Sequence, residues 1–160
     1  MHMHLRAAAE AEIRDDHAWL EAFMARAWEH HQVECAAGIA DSVEKDFHLL
    51  HELYSASPDP AAWLPVFGGR QPAGAAADAV PDPPLILLEP AEVRTAAAFL
   101  AGTAFEELWD AGGAKIVAHF GPDWAEALVE EIFRSHHRDL TAFYRRAAAA
   151  GHTVVKAGWF

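Results

Sequence analysis

Glu44, His48, His51 and Glu52 fall at i, i+4, i+7 and i+8, so a helix over this stretch presents all four on one face. Imidazole nitrogen and carboxylate oxygen both ligate zinc and similar divalent ions. A catalytic site takes three protein ligands and leaves one position open, and a single helix seldom aims three at one ion. A further group such as His119 or Asp123 would have to approach. The competing reading makes His48 and His51 ordinary polar residues, one exposed and one hydrogen-bonded against the core, and it is the favoured one. No resident cofactor is expected; a divalent metal on His48, His51 and Glu44 is the alternative.

Other reactive residue types lack a setting. His2, His4, His30, His31, His136 and His137 lack the spacing of a closed zinc site and read as solvated, with His136 able to reach the core face of a long helix. Cys35 lies between Glu34 and Ala36 with no local cation to lower its pKa, which suits a structural thiol. Ser42, Ser55, Ser57 and Ser135 have no nucleophile-elbow context. Gly68-Gly69-Arg70 can offer backbone amides to an anion, but no helix follows, so an ordinary turn is expected.

The elements that must position these groups follow from periodicity and breakers. Residues 3–9 read as a short opening strand. From Asp15 to His31 the apolar face Trp19, Leu20, Phe23, Met24 and Ala27 predicts a helix capped by Asp15 or Asp16. A second helix is expected from Asp41, with Glu44 as its capping-box partner and Val43, Phe47, Leu50 and Tyr54 as its core stripe. Seven of the nine prolines lie in the thirty residues from Ser55 to Pro84, far beyond an ordinary loop. Trp63, Leu64, Val66 and Phe67 should anchor the first half of that Pro/Gly/Ala-rich loop on the core; Gln71–Asp82 should be mobile.

Leu85–Glu89 predicts a buried strand, and Pro90 opens a helix that stops near Gly102. A capping box at Thr103–Glu106 starts a short helix that Gly112-Gly113 should end. The longest helix is expected from Pro122 to Ala150, with Trp124, Leu128 and Ile132 in one row, a bend at Ser135-His136-His137, and Gly151 beyond its end. Thr153–Trp159 alternates as a closing strand. The expected architecture is a single α+β domain over 1–160: a small mixed sheet of N-terminal, mid-chain and C-terminal strands covered by several helices.

Composition narrows the function. Twelve Lys and Arg against 24 Asp and Glu give a net charge of −12, which repels nucleic-acid phosphates and anionic membranes. A hydrophobic share of 52% with six tryptophans supports a folded core. No apolar stretch approaches the roughly 20 residues that span a bilayer. One cysteine forms no internal disulfide and suits a reducing compartment, so the cytoplasm is the expected location.

Three stretches together resemble the YfbM-like family of bacterial proteins of unknown function. Val43-Glu-Lys-Asp-Phe-His-Leu-Leu-His51 is similar to that family's Asp-Lys-x-Trp-x-x-Leu-His helix, with Lys45 and His51 at its lysine and histidine. Leu88-Glu-Pro-Ala-Glu-Val93 resembles the entry to its mid-chain helix, and Phe120-Gly-Pro-Asp-Trp124 through Leu140-Thr-Ala-Phe-Tyr144 its C-terminal part. The match runs from about residue 41 onward. Phe47 replaces the usual tryptophan, Glu44 the usual aspartate, and Ala73–Pro84 a Gly-rich segment. The resemblance implies an α+β fold and a bacterial cytosolic setting, and it brings no catalytic residues.

Two functions are therefore expected. The first is a non-enzymatic binding protein for a protein or small-molecule partner, with His51, His48, Glu44, Trp63 and Trp124 as candidate ligand-binding residues. The second is a metal-assisted hydrolase centred on His48 and His51.

Overall fold

The chain runs β1 (His2–Ala8), α1 (His17–Glu29), α2 (His31–Ala37), β2 (Ala40–Val43), α3 (Phe47–Tyr54), β3 (Ile86–Leu88), α4 (Pro90–Gly102), α5 (Phe105–Phe120), α6 (Glu126–Ala149) and β4 (Thr153–Trp159). The computed structural model describes residues 2–75 and 85–159. Strand alternation divides the molecule into layers. Met3, Leu5 and Ala7 of β1 and Val154 of β4 face the larger core with α3, α4, α5 and α6; Val155 and Ala157 face Leu20 and Met24 of α1.

The sheet has the order β2-β1-β4-β3, with β1 and β4 paired along their whole length from His2↔Trp159 to Ala8↔Thr153. All its pairings are antiparallel, so it is an antiparallel sheet where a mixed one was expected. The α+β architecture stands, with the N-terminal, mid-chain and C-terminal strands in place. A fourth strand, β2, occupies the residues read as the start of the second helix. Ala40 and Val43 are buried there, and pairing of Met3 with Val43 and Leu5 with Asp41 overrides the local capping signal. As a result α3 begins only at Phe47, with Asp46 at its N-cap, and Glu44 stands before the helix. Val43, Phe47, Leu50, Leu53 and Tyr54 are all buried as the stripe predicts.

The glycine pair in α5 also misleads. Helix α5 runs on through Gly112 and Gly113 because the missing side chains admit neighbours. A Cβ on Gly113 would lie 2.6 Å from the Trp109 ring, and one on Gly112 would crowd Leu53 and Ala56 of the adjoining chain. Its N-cap is Ala104, with no side-chain cap. Helix α6 starts at Glu126, four residues later than expected, and continues unbroken past Ser135-His136-His137. His137 turns inward instead of bending the helix, with its Nδ1 3.3 Å from the buried Tyr54 hydroxyl.

Elsewhere the caps behave as anticipated. The Asp16 carboxylate accepts from the Trp19 amide at 2.8 Å, and Pro90 sits in the first turn of α4. In the long loop Leu64 and Val66 are buried and Phe67 packs on the core, whereas Trp63 points outward with 47% of its surface exposed. Gly68 and Gly69 form a turn against β3: Gly69 has φ +119°, and a Cβ there would lie 2.7 Å from the Leu87 carbonyl. Of the segment expected to be mobile, residues 76–82 lie outside the described residues. Within residues 71–75 the Ala73 amide donates to Asp15 and the Ala73 carbonyl accepts from the His17 amide.

Candidate functional site

A groove of about 1060 Å³ opens between the N-terminal half of α3, the C-terminal end of α5 and the first half of α6. Each wall follows from helix spacing. His48, Leu49 and Glu52 come from α3; Lys115, His119 and Phe120 from α5; Ile132, Ser135 and His136 from α6. The turn Glu44-Lys45-Asp46 and Trp124 complete the lining. Leu49, Phe120, Ile132 and Trp124 supply an apolar floor, and the Phe120 and Trp124 rings meet edge to face at 5.2 Å.

Three of the five candidate ligand-binding residues, Glu44, His48 and Trp124, line this groove. His119, considered as a further ligand, lines it as well. His51 does not. It is half-buried against Phe67 at 5.0 Å, and its buried Nδ1 has no hydrogen-bond partner, contrary to the expected hydrogen-bonded histidine. Burial lowers its pKa, with the charges of His48 and Lys156 acting in the same direction and Glu52 opposing. Trp63 lies elsewhere on the surface. Phe67 also packs against His48 at 5.1 Å, so one loop ring fixes both imidazoles.

Charge around the groove is mixed. Lys115 bridges Glu52 at 2.9 Å, which holds the Glu52 carboxyl below its usual range. His136 is lowered by burial, against the pull of Asp46, Asp139 and Glu44. The Ser135 hydroxyl donates to Asp139 at 3.2 Å and accepts from Arg138 at 2.8 Å, an arrangement that gives it no imidazole base. Cys35 has its pKa raised by burial and by Asp41 and Glu34, which suits the expected structural thiol. Among the described residues no three His, Cys, Asp or Glu side chains come together as a metal ion requires.

Three buried groups escaped the sequence reading. Lys156, fully buried in β4, donates to the carbonyls of Leu64 and Gly68, the second at 2.9 Å. Burial holds its pKa well below the ordinary lysine range. His4, expected in solvent, is fully buried in β1 against Trp28, and neither ring nitrogen has a hydrogen-bond partner. His137 is likewise buried rather than solvated. The available signal was positional: Lys156 interrupts the apolar run Val154-Val155-Lys156-Ala157, and His4 lies between Met3 and Leu5 in a central strand.

No helix among the described residues is long and apolar enough to cross a membrane. A family model described as "Domain of unknown function (DUF1877)" matches residues 1–156. No curated protein and no solved structure matches the chain.

Proposed function

The chain belongs to the DUF1877 family, a domain of unknown function, and we propose that it is a non-enzymatic binding protein whose ligand occupies the groove between α3, α5 and α6. The observation that carries this reading is the groove itself: a large concave site with an apolar floor and polar groups around its edge is the usual form of a ligand pocket. No nucleophile is paired with a base in it, so binding accounts for the residues better than turnover does. In this reading no cofactor is needed, and His48, Glu44 and Trp124 are the binding residues. His51 acts behind the wall, through Phe67.

The metal-assisted hydrolase centred on His48 and His51 is not carried forward. His51 does not reach the groove that His48 lines, and Glu44 no longer shares a helix with either. The YfbM-like resemblance and the lone cysteine support a bacterial cytoplasmic setting, and the charge of −12 argues against nucleic-acid partners.

A fragment screen read by two-dimensional NMR tests the proposal. Bound fragments should shift the resonances of Leu49, Phe120, Trp124 and Ile132 together, and Trp124→Ala should weaken them. Fragments that map elsewhere, or that bind Trp124→Ala unchanged, would refute the groove as the binding site.

A further inference from the structure

Residues 122–128 are exposed without interruption. This segment, the turn before α6 and its first residues, carries Trp124 at 44% and Leu128 at 52% exposure, two of the four large hydrophobic side chains exposed among the described residues. Leu128 and Ile132 stand one helical turn apart on α6, and Trp124 in the preceding turn lines the groove together with Ile132, so exposed apolar surface adjoins the groove. A tryptophan left half in water beside a concave site is the side-chain type that most often anchors an interface. It also offers its face to a cation.

Among the charges beside that surface the carboxylates outnumber the cations. Asp123 and Glu126 flank Trp124 in the sequence, and both are exposed. Glu44 and Asp46 line the same groove as Trp124. Of the nearby cations, Lys115 bridges Glu52 and Arg134 bridges Glu106 and Glu130, while Lys45 lines the groove between two carboxylates. The whole chain carries −12, so a second copy would bring the same sign to the same edge.

We propose that the groove and the Trp124–Leu128 ledge dock a basic, apolar-faced segment of another protein. The apolar face of such a segment lies along Trp124, Leu128 and Ile132. Its lysine or arginine side chains meet Asp123, Glu126, Glu44 and Asp46. The proposal rests on the reading of the groove as a binding site and adds the chemistry of the occupant.

The test uses the full chain at about pH 8. The probes are a short amphipathic peptide of leucine and lysine and its counterpart with glutamate in place of lysine, each titrated by calorimetry and NMR. The lysine peptide should bind and shift the Trp124 indole. Trp124→Ala should weaken it by at least ~10-fold, as loss of a central interface aromatic does, and Asp123→Asn with Glu126→Gln should weaken it as well. Trp63→Ala should leave it unchanged. Three results would overturn the proposal: lysine-peptide binding indifferent to Trp124→Ala, which is diffuse attraction to an acidic chain; equal binding of the glutamate peptide; or self-association in sedimentation that Trp124→Ala abolishes, which assigns the ledge to a second copy. Fragments that still occupy the groove while the peptide fails would remove only the partner class, whereas loss of both would remove the groove reading too.

Discussion

His4→Phe should make the protein less sensitive to acid. The His4 ring is fully buried in the second strand of the sheet order, edge-on to Trp28 at 5.4 Å, with neither nitrogen hydrogen-bonded. Its pKa is lowered from 6.5 to about 4, first by burial and then by the charges of His31 and Arg6; a backbone interaction with Asp41 opposes. The unfolded chain therefore takes up a proton between about pH 6.5 and 4 that the folded chain refuses. Stability from this group is present above pH 6.5 and is lost as pH falls toward 4. At ~1.4 kcal/mol per pH unit, the loss from pH 7 is about 2 kcal/mol by about pH 4.5 and approaches about 3 kcal/mol near pH 4.

Asp41 works in the opposite sense on the other face of the sheet. Its pKa is raised to about 7 by burial, opposed by the Ser42 amide, with Asp139 adding to the rise. The folded chain thus holds a proton that the unfolded chain releases, and stability from Asp41 falls as pH rises from about 4 toward 7. The two slopes offset each other in the native protein, so its own pH profile does not reveal His4. The difference between native protein and His4→Phe does. Phenylalanine keeps a ring against Trp28 and carries no proton, so urea melts should show the variant gaining about 2 kcal/mol on the native protein between pH 7 and about pH 4.5. Parallel profiles, with the difference constant to within about 0.5 kcal/mol, would show that His4 does not resist protonation in the fold.

Leu50→Ala, at a fully buried position in α3, should lose about 2–5 kcal/mol in denaturant melts through the cavity it leaves. Lys156→Met removes the donor to the Leu64 and Gly68 carbonyls, each of which then costs about 1–3 kcal/mol unpaired, while the cost of burying the amine is relieved. A net loss of stability is expected, with changed NMR signals for Phe67 and His48. A Lys156→Met protein with unchanged stability and an unchanged Phe67 environment would show that the lysine does not hold the turn.

The sequence made local structure legible where one pattern ruled alone. The buried stripe Phe47, Leu50 and Tyr54, the Asp16 cap, the Pro90 start and the two central strands all follow from it. It misled where a long-range contact competed with a local signal. The Asp41–Glu44 capping box gave way to strand pairing with β1, and the glycines of α5 serve close packing rather than termination. For the site, α3 spacing correctly put His48 and Glu52 on a shared face, yet it put His51 there too. Which flank of that polar face becomes a groove depends on α5 and α6, and their arrival leaves no trace in the α3 sequence. Trp124 was visible as a candidate, and so was its row with Leu128 and Ile132, but spacing does not say whether anything covers that row.

The two ends of the proposed binding groove depend on the fold to different degrees. On the α3 wall, Lys156 holds the carbonyls of Leu64 and Gly68, the turn between them presents Phe67, and Phe67 packs against His48 and His51. That wall is tied to the central strand β4, so substitutions along it act on stability and on groove shape together. The opposite end is different. No residue from 122 to 128 is buried, and the first buried position of α6 is Val129. Trp124 touches the core through Phe120, and Leu128 stands half in water. Selection for folding alone places little demand on such positions, since surface changes seldom move stability by more than about 0.5 kcal/mol. The fold does not require an indole and a leucine on that ledge, beside an apolar groove and bordered by carboxylates; the proposed docking does.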